Sequence, residues 1–163
     1  MSAAASPASA TPQDSMLELQ IELAELVEQD DAQSVSALRD RVGEGLPPAA
    51  LTAMLDACLE HPRSDLEPLL RDLAAHRTAA IRARSLLAWA GLGPGESVDA
   101  IEAAADDRDG GVRRLAVVLA TLHPSERADA LVAQLLEQDP ELAEEVGGQD
   151  LSAPEQIEDG EGS

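Results

Sequence analysis

The fold is decided by residues 64–122, which read SDLEPLLRDLAAHRTAAIRARSLLAWAGLGPGESVDAIEAAADDRDGGVRRLAVVLATL. Leucine, isoleucine and valine recur in this stretch at intervals of three and four residues, a spacing that is typical of amphipathic helices. The apolar runs are separated by turn-forming segments, namely HRT at 76–78, GLGPG at 91–95 and DDRDGG at 106–111. The stretch therefore predicts short helices joined by short turns.

The same stretch repeats itself at a shift of 31 residues. The shift places Leu70 on Ile101, Arg77 on Arg108, Ile81 on Val112, Arg82 on Arg113, Leu86 on Val117 and Leu87 on Val118. Applied backward, it places Leu38 under Leu69 and Leu55 under Leu86. A period of this length is typical of repeat architectures, in which each unit is one supersecondary element. The pattern predicts roughly three and a half two-helix units.

Two segments one period apart, residues 76–82 and residues 107–113, resemble the turn between the two helices of a HEAT repeat. In that family an Asp at the turn is followed six residues later by an Arg, which comes directly after a small apolar residue. Asp107 and Arg113 match this pattern, whereas His76 takes the place of the Asp in the earlier copy. The resemblance covers about residues 64–122.

The flanking copies depart from the HEAT pattern at the Arg position. The earlier copy has Leu51 or Thr52 there, and the final copy has Ala143 or Glu144. The resemblance implies an all-α fold, a short right-handed, armadillo-type α-solenoid of helical hairpins. A two-helix unit cannot bury its apolar stripe alone, so its neighbours must stack on it. A compact helical bundle is the alternative.

Composition divides the chain into three parts. Residues 1–14 are rich in Ala, Ser and Pro and predict a disordered tail, and residues 147–163 predict a second, acidic one. Between them, residues 15–146 form the predicted repeat domain, whose first helix begins with Asp14 or Ser15 as its cap. Trp89 is the only aromatic residue, which argues against a β-sandwich or barrel.

Charge narrows the choice of partner. The net charge of −21 opposes binding to nucleic-acid phosphates and to anionic membranes, so we expect neither as a partner. Residues 63–114 carry only −1, whereas residues 1–62 carry −9 and residues 115–163 carry −11. No apolar run approaches the roughly 18 residues of a membrane span, and the single cysteine, Cys58, cannot form an internal disulfide. The expected location is cytoplasmic.

The near-neutral middle contains the candidate partner-binding residues, which are Arg82, Arg84, Arg113, Arg114 and Trp89. The HEAT resemblance places the arginines on second helices, which line the concave side of such arrays. There they could bind an acidic segment of a protein. They could instead pair within the chain with nearby carboxylates: Asp72, Asp106, Asp107 and Asp109.

The sequence offers no recognisable catalytic, metal or cofactor site. His61, His76 and His123 have no Cys or His neighbours at zinc-ligand spacing. The acidic segment at 106–110 lacks the late Glu of a calcium loop. Neither a phosphate-binding G-x-x-x-x-G-K-[ST] motif nor a G-x-S-x-G motif is present. We therefore expect no cofactor and no enzymatic activity.

The predicted function is a non-catalytic adaptor that binds a protein partner through the concave face of its repeats. One alternative is an accessory subunit or lyase-type enzyme of the bilin-lyase kind, which the HEAT resemblance brings with it. Another is an acidic mimic that inhibits a basic nucleic-acid-binding protein. The sequence leaves open which protein is bound and how many copies assemble.

Overall fold

A computed structural model describes residues 11–147, and all regular secondary structure within that range is helical. The helices are α1 (Pro12–Glu28), α2 (Ala32–Glu44), α3 (Pro48–Glu60), α4 (Glu67–Ala74), α5 (Ala79–Ala90), α6 (Pro94–Ala105), α7 (Gly110–Leu122), α8 (Glu126–Gln138) and α9 (Pro140–Gly147). One 3-10 turn, Ser64–Leu66, leads into α4. The all-α prediction is confirmed for these residues. Most of both predicted tails, residues 1–10 and 148–163, lies outside the described range.

Helix α1 begins three residues earlier than the sequence analysis placed it. Thr11 is the N-cap: its hydroxyl accepts a hydrogen bond from the backbone N–H of Asp14, at 3.2 Å. The Asp14 carboxylate in turn accepts one from the backbone N–H of Thr11, at 2.9 Å. This capping box and the proline at position 12 stabilise the first turn. The predicted cap at Asp14 or Ser15 was therefore wrong.

The period of 31 residues recurs in which side chains are buried. Helix α3 buries Ala50, Leu51, Met54, Leu55, Ala57 and Cys58. Helix α5 buries the residues 31 positions further on, which are Ile81, Arg82, Ser85, Leu86, Ala88 and Trp89. Helices α4 and α6 are related in the same way: Leu69, Leu70 and Leu73 correspond to Ala100, Ile101 and Ala104. Successive units therefore present the same faces to the core.

The helices pack in chain order. Every extensive contact among the described helices joins two that are adjacent or one apart in the sequence. Helix α3 packs against α1 and α5, α5 against α4, α6 and α7, and α8 against α6, α7 and α9. One continuous apolar core results, from Leu23 in α1 to Leu142 in α9. None of the described helices is long and apolar enough to cross a membrane.

Candidate partner-binding surface

Arg82 links α5 to the turn that precedes α7. Its Nε and Nη2 donate to the two carboxylate oxygens of Asp107, at 2.7 and 2.8 Å. Its Nη1 donates to the backbone carbonyls of His76 and Arg77, at 2.9 and 3.1 Å. The side chains of Arg82 and Asp107 are only 5% and 7% exposed. Because the pairing is bidentate and buried, Arg82 holds two successive turns together.

Arg113 makes the corresponding link one unit later. Its Nε and Nη2 both donate to one carboxylate oxygen of Asp139, at 2.9 and 2.7 Å. Its Nη1 donates to the backbone carbonyl of Asp107, six residues earlier, at 3.1 Å. The contact within each unit therefore uses a backbone oxygen, and the carboxylate serves the Arg of the preceding unit.

This division of contacts explains the histidine in the first copy of the motif. His76 still provides the backbone carbonyl that Arg82 needs. The unit before it has a buried Leu51 at the position 31 residues before Arg82, so no guanidinium from that unit requires a carboxylate at position 76. A turn carboxylate is needed only where the preceding unit supplies an arginine.

The two links shift the acidity of their carboxyl groups. The hydrogen bond from Arg82 lowers the pKa of Asp107 below its ordinary value of 3.8. The hydrogen bond from Arg113 lowers the pKa of Asp139 in the same way. In both cases the protein favours the charged form of the carboxylate, so the link contributes to stability only while the carboxylate is ionised.

Asp107→Asn is expected to destabilise the protein in a pH-dependent way. The pKa of Asp107 is lower in the folded chain than in the unfolded one, so its contribution is present above pH 3.8 and is lost as pH falls through the folded value. The difference in unfolding free energy between wild type and variant should therefore narrow from about pH 5 to about pH 2. Denaturant titrations across this range measure it. Asp72→Asn, at an exposed position, is the control, and an equally narrowing gap there would contradict the assignment.

Arg84 and Arg114 also pair within the chain, but near the surface. The Nε of Arg84 donates to Asp56 on α3, at 2.9 Å, and Arg114 pairs with Glu145 on α9. All four residues are roughly half-exposed. Such pairs are worth at most about 1 kcal/mol. Binding of a partner by Arg84 or Arg114 therefore stays a prediction.

The internal pairs answer the question that the sequence left open about the four arginines. Of the four carboxylates considered as partners, only Asp107 pairs with one of them. Asp56, Asp139 and Glu145 are the other carboxylates used.

Trp89 lies inside the protein and not on a binding face. Its side chain is buried in α5, and the guanidinium carbon of Arg71 is 5.1 Å from its ring centroid. A cation–π contact of this kind fixes the ring from within the chain. Since Arg82 and Trp89 are both buried, we correct the predicted surface by leaving these two residues out.

A surface that the sequence analysis missed lies on α7. Val118 is 47% exposed and Leu122 is 63% exposed. With Val117, Thr121 and Val146 they line an open cavity of about 240 Å³, which we call the α7 groove. A second cavity, of about 510 Å³, continues from Val117 and Thr121 towards α8. The groove is apolar and accessible, which large side chains at these positions in a closed core would not be.

The groove is open because α9 is short. The Arg114–Glu145 pair, 31 residues apart, places the end of α9 beside the early part of α7. Helix α9 ends at Gly147, two residues after Glu145, so no residue of α9 lies at the level of Leu122. Leu87, which precedes Val118 by one period, is half-buried and packs against the core. The sequence signal was the Gly147-Gly148 pair, which disfavours a longer helix.

The other candidate chemistries find little support in the geometry. Cys58 is buried among apolar residues, and burial raises the pKa of its thiol to about 12. In the described part of the chain, no three His, Cys, Asp or Glu side chains are grouped so that they could hold a metal ion. Comparisons with family models, with curated proteins and with solved structures found no match for this chain. The functional argument therefore depends on the α7 groove.

Proposed function

We propose that this chain is a short α-solenoid of HEAT-like hairpins that acts as a non-catalytic adaptor. Its α7 groove binds a segment of a protein partner, and the internal arginine pairs keep the repeats in register. The observation that carries the proposal is the exposed apolar surface formed by Val118 and Leu122. Large apolar side chains clustered at the surface of a folded chain mark interaction sites.

The solenoid is supported by polar contacts that reach from one unit to the next. Their sequence separations lie between 25 and 31 residues: Arg82–Asp107, Arg84–Asp56, Arg113–Asp139, Arg114–Glu145 and Arg127–Glu102. A separation close to one repeat period is expected when equivalent helices of neighbouring units lie side by side. A compact bundle would also bring early helices against late ones, whereas the extensive contacts here stay within two positions in helix order.

The groove has the geometry of a binding site for an apolar anchor. Val118 and Leu122 are four residues apart on α7 and therefore lie on the same helical face. Val146 adds an apolar wall from α9, and Thr121 adds a hydroxyl within the groove. Burying one leucine-sized side chain here would contribute about 1.5–3 kcal/mol to binding. Removing both anchors should therefore weaken a complex strongly.

The double variant Val118→Ser with Leu122→Ser is expected to lose its partner. Tagged full-length protein would be used to recover bound proteins from an extract of the source organism, and the affinity of the recovered partner would then be measured by titration. We expect at least a tenfold loss, about 1.4 kcal/mol or more. Leu17→Ser with Ile21→Ser is the matched control, because these residues have the same spacing on α1 and are 57% and 50% exposed. Equal affinity of wild type and the α7 variant would contradict the proposal.

A further inference from the structure

We propose that the segment bound in the α7 groove is a cationic amphipathic helix. This inference depends on the proposed function and adds the chemistry of the partner. It is argued from three features of the C-terminal end of the array: the state of its charges, the shape of the groove, and the exclusion of other occupants.

The positive charges near the groove are already paired, whereas many negative charges are not. Arg113 pairs with Asp139, Arg114 with Glu145 and Arg127 with Glu102. Five exposed carboxylates of α8 and α9 take part in no ion pair within residues 11–147: Glu126, Asp129, Glu137, Glu141 and Glu144. One of them, Asp129, lines the cavity that continues from the groove. The surroundings of the apolar anchors therefore attract positive charge.

The shape of the groove fits a helix. The eight-residue α9 covers only the early part of the thirteen-residue α7, so the later part of α7 lacks a neighbouring helix on that side. Val118 and Leu122 are separated by about one helical turn, roughly 6 Å along the axis. An amphipathic helix with apolar residues at the same spacing could lie along this strip with its cationic side chains towards the carboxylates.

Charge also separates this occupant from two others. A second copy of the chain would bring another net charge of −21 to an acidic surface. The chain's own residues 148–163 contain two large apolar residues, Leu151 and Ile157, but five acidic residues and no basic one. Both would meet like charge around the groove, which opposes their binding. A cationic segment meets opposite charge.

The test uses a synthetic, fluorescein-labelled helical peptide with leucines on one face and lysines on the other. A second peptide of the same composition, reordered so that the apolar face is lost, is its control. Binding of each to the full chain is followed by fluorescence anisotropy at low and at physiological ionic strength. We expect the amphipathic peptide to bind at least about tenfold more tightly than the reordered one, and the affinity to fall as salt rises.

Charge-neutralised variants locate the binding site. One variant carries Glu126→Gln, Asp129→Asn, Glu137→Gln and Glu144→Gln. Its matched control removes the same number of charges at the other end, with Glu18→Gln, Glu25→Gln, Asp30→Asn and Asp40→Asn. We expect about a tenfold loss of affinity for the first variant and less than about a twofold loss for the second. Circular dichroism verifies that both variants remain helical.

Four results would overturn the proposal. The first is that the amphipathic peptide does not bind, and the second is that the two peptides bind equally. The third is that the two neutralised variants lose the same affinity, which would indicate net charge alone. The fourth is an occupied groove: tighter peptide binding by Leu151→Ser, or displacement of a second copy by the peptide in sedimentation.

The failure of this inference can be told apart from the failure of the proposed function. If a captured partner depends on Val118 and Leu122 but not on salt or on the acidic residues, only the cationic character is wrong. If Val118→Ser with Leu122→Ser changes neither partner capture nor peptide binding, the groove itself is not the binding site.

Discussion

Arg82→Ala is expected to lower the free energy of unfolding by about 3–5 kcal/mol. The substitution removes a bidentate pair and leaves the Asp107 carboxylate buried at 7% exposure without its counter-charge. It also removes the donor to the backbone carbonyls of His76 and Arg77. An uncompensated buried charge costs far more than the same charge in water. Since small domains are stable by only about 5–15 kcal/mol, the loss should be evident in a urea titration.

Arg84→Ala is the matched control for Arg82→Ala. It removes an arginine two residues away on the same helix, whose partner Asp56 is half-exposed. We expect a loss of no more than about 1 kcal/mol, because exposed pairs contribute little. Equal losses for the two variants would show that the Arg82–Asp107 pair is not buried as described.

A double variant separates the value of the pair from the cost of breaking it. Arg82→Leu places at position 82 the residue that the preceding unit has at position 51. Combined with Asp107→Leu, it removes both charges, so we expect it to be more stable than Arg82→Ala. A double variant less stable than the single one would contradict the role of the unpaired carboxylate.

Leu23→Ala is expected to lower the free energy of unfolding by about 2–5 kcal/mol. Leu23 is completely buried in α1, which packs against α2 and α3. Its truncation removes apolar contacts and leaves a cavity that the rigid neighbours fill only in part. Leu17→Ala on the same helix is the control, and since Leu17 is 57% exposed we expect a change within about 0.5 kcal/mol. Thermal melts of the two variants provide the comparison, and similar losses would show that α1 does not bury Leu23.

The sequence predicted the helices and their period because both depend on local patterns. Apolar spacing located α2 to α8 to within a few residues, and glycines and prolines indicated where helices end. The start of α1 was missed because the capping box from Thr11 to Asp14 was not considered. The period of 31 was readable because buried positions such as Leu70 and Ile101 recur with it.

The partners of the arginines depend on packing between units and were harder to predict. Asp139 is 26 residues from Arg113, a separation that no local motif contains. Trp89 was expected at a surface because it is aromatic, yet its position 31 residues after the buried Cys58 indicated the core. The α7 groove arises from a missing contact: the strip carrying Val118 is exposed only because α9 ends early.

Hydrogen exchange of Leu23→Ala tests the central claim, a repeat array and not a compact bundle. In an array each unit contacts only its neighbours, so damage at one end remains local. We predict faster exchange than in the wild type for the backbone amides of α1 to α3, and unchanged exchange for those of α7 and α8. Faster exchange by the same factor in all of these helices would contradict the array, because it would show one core that opens as a single cooperative unit.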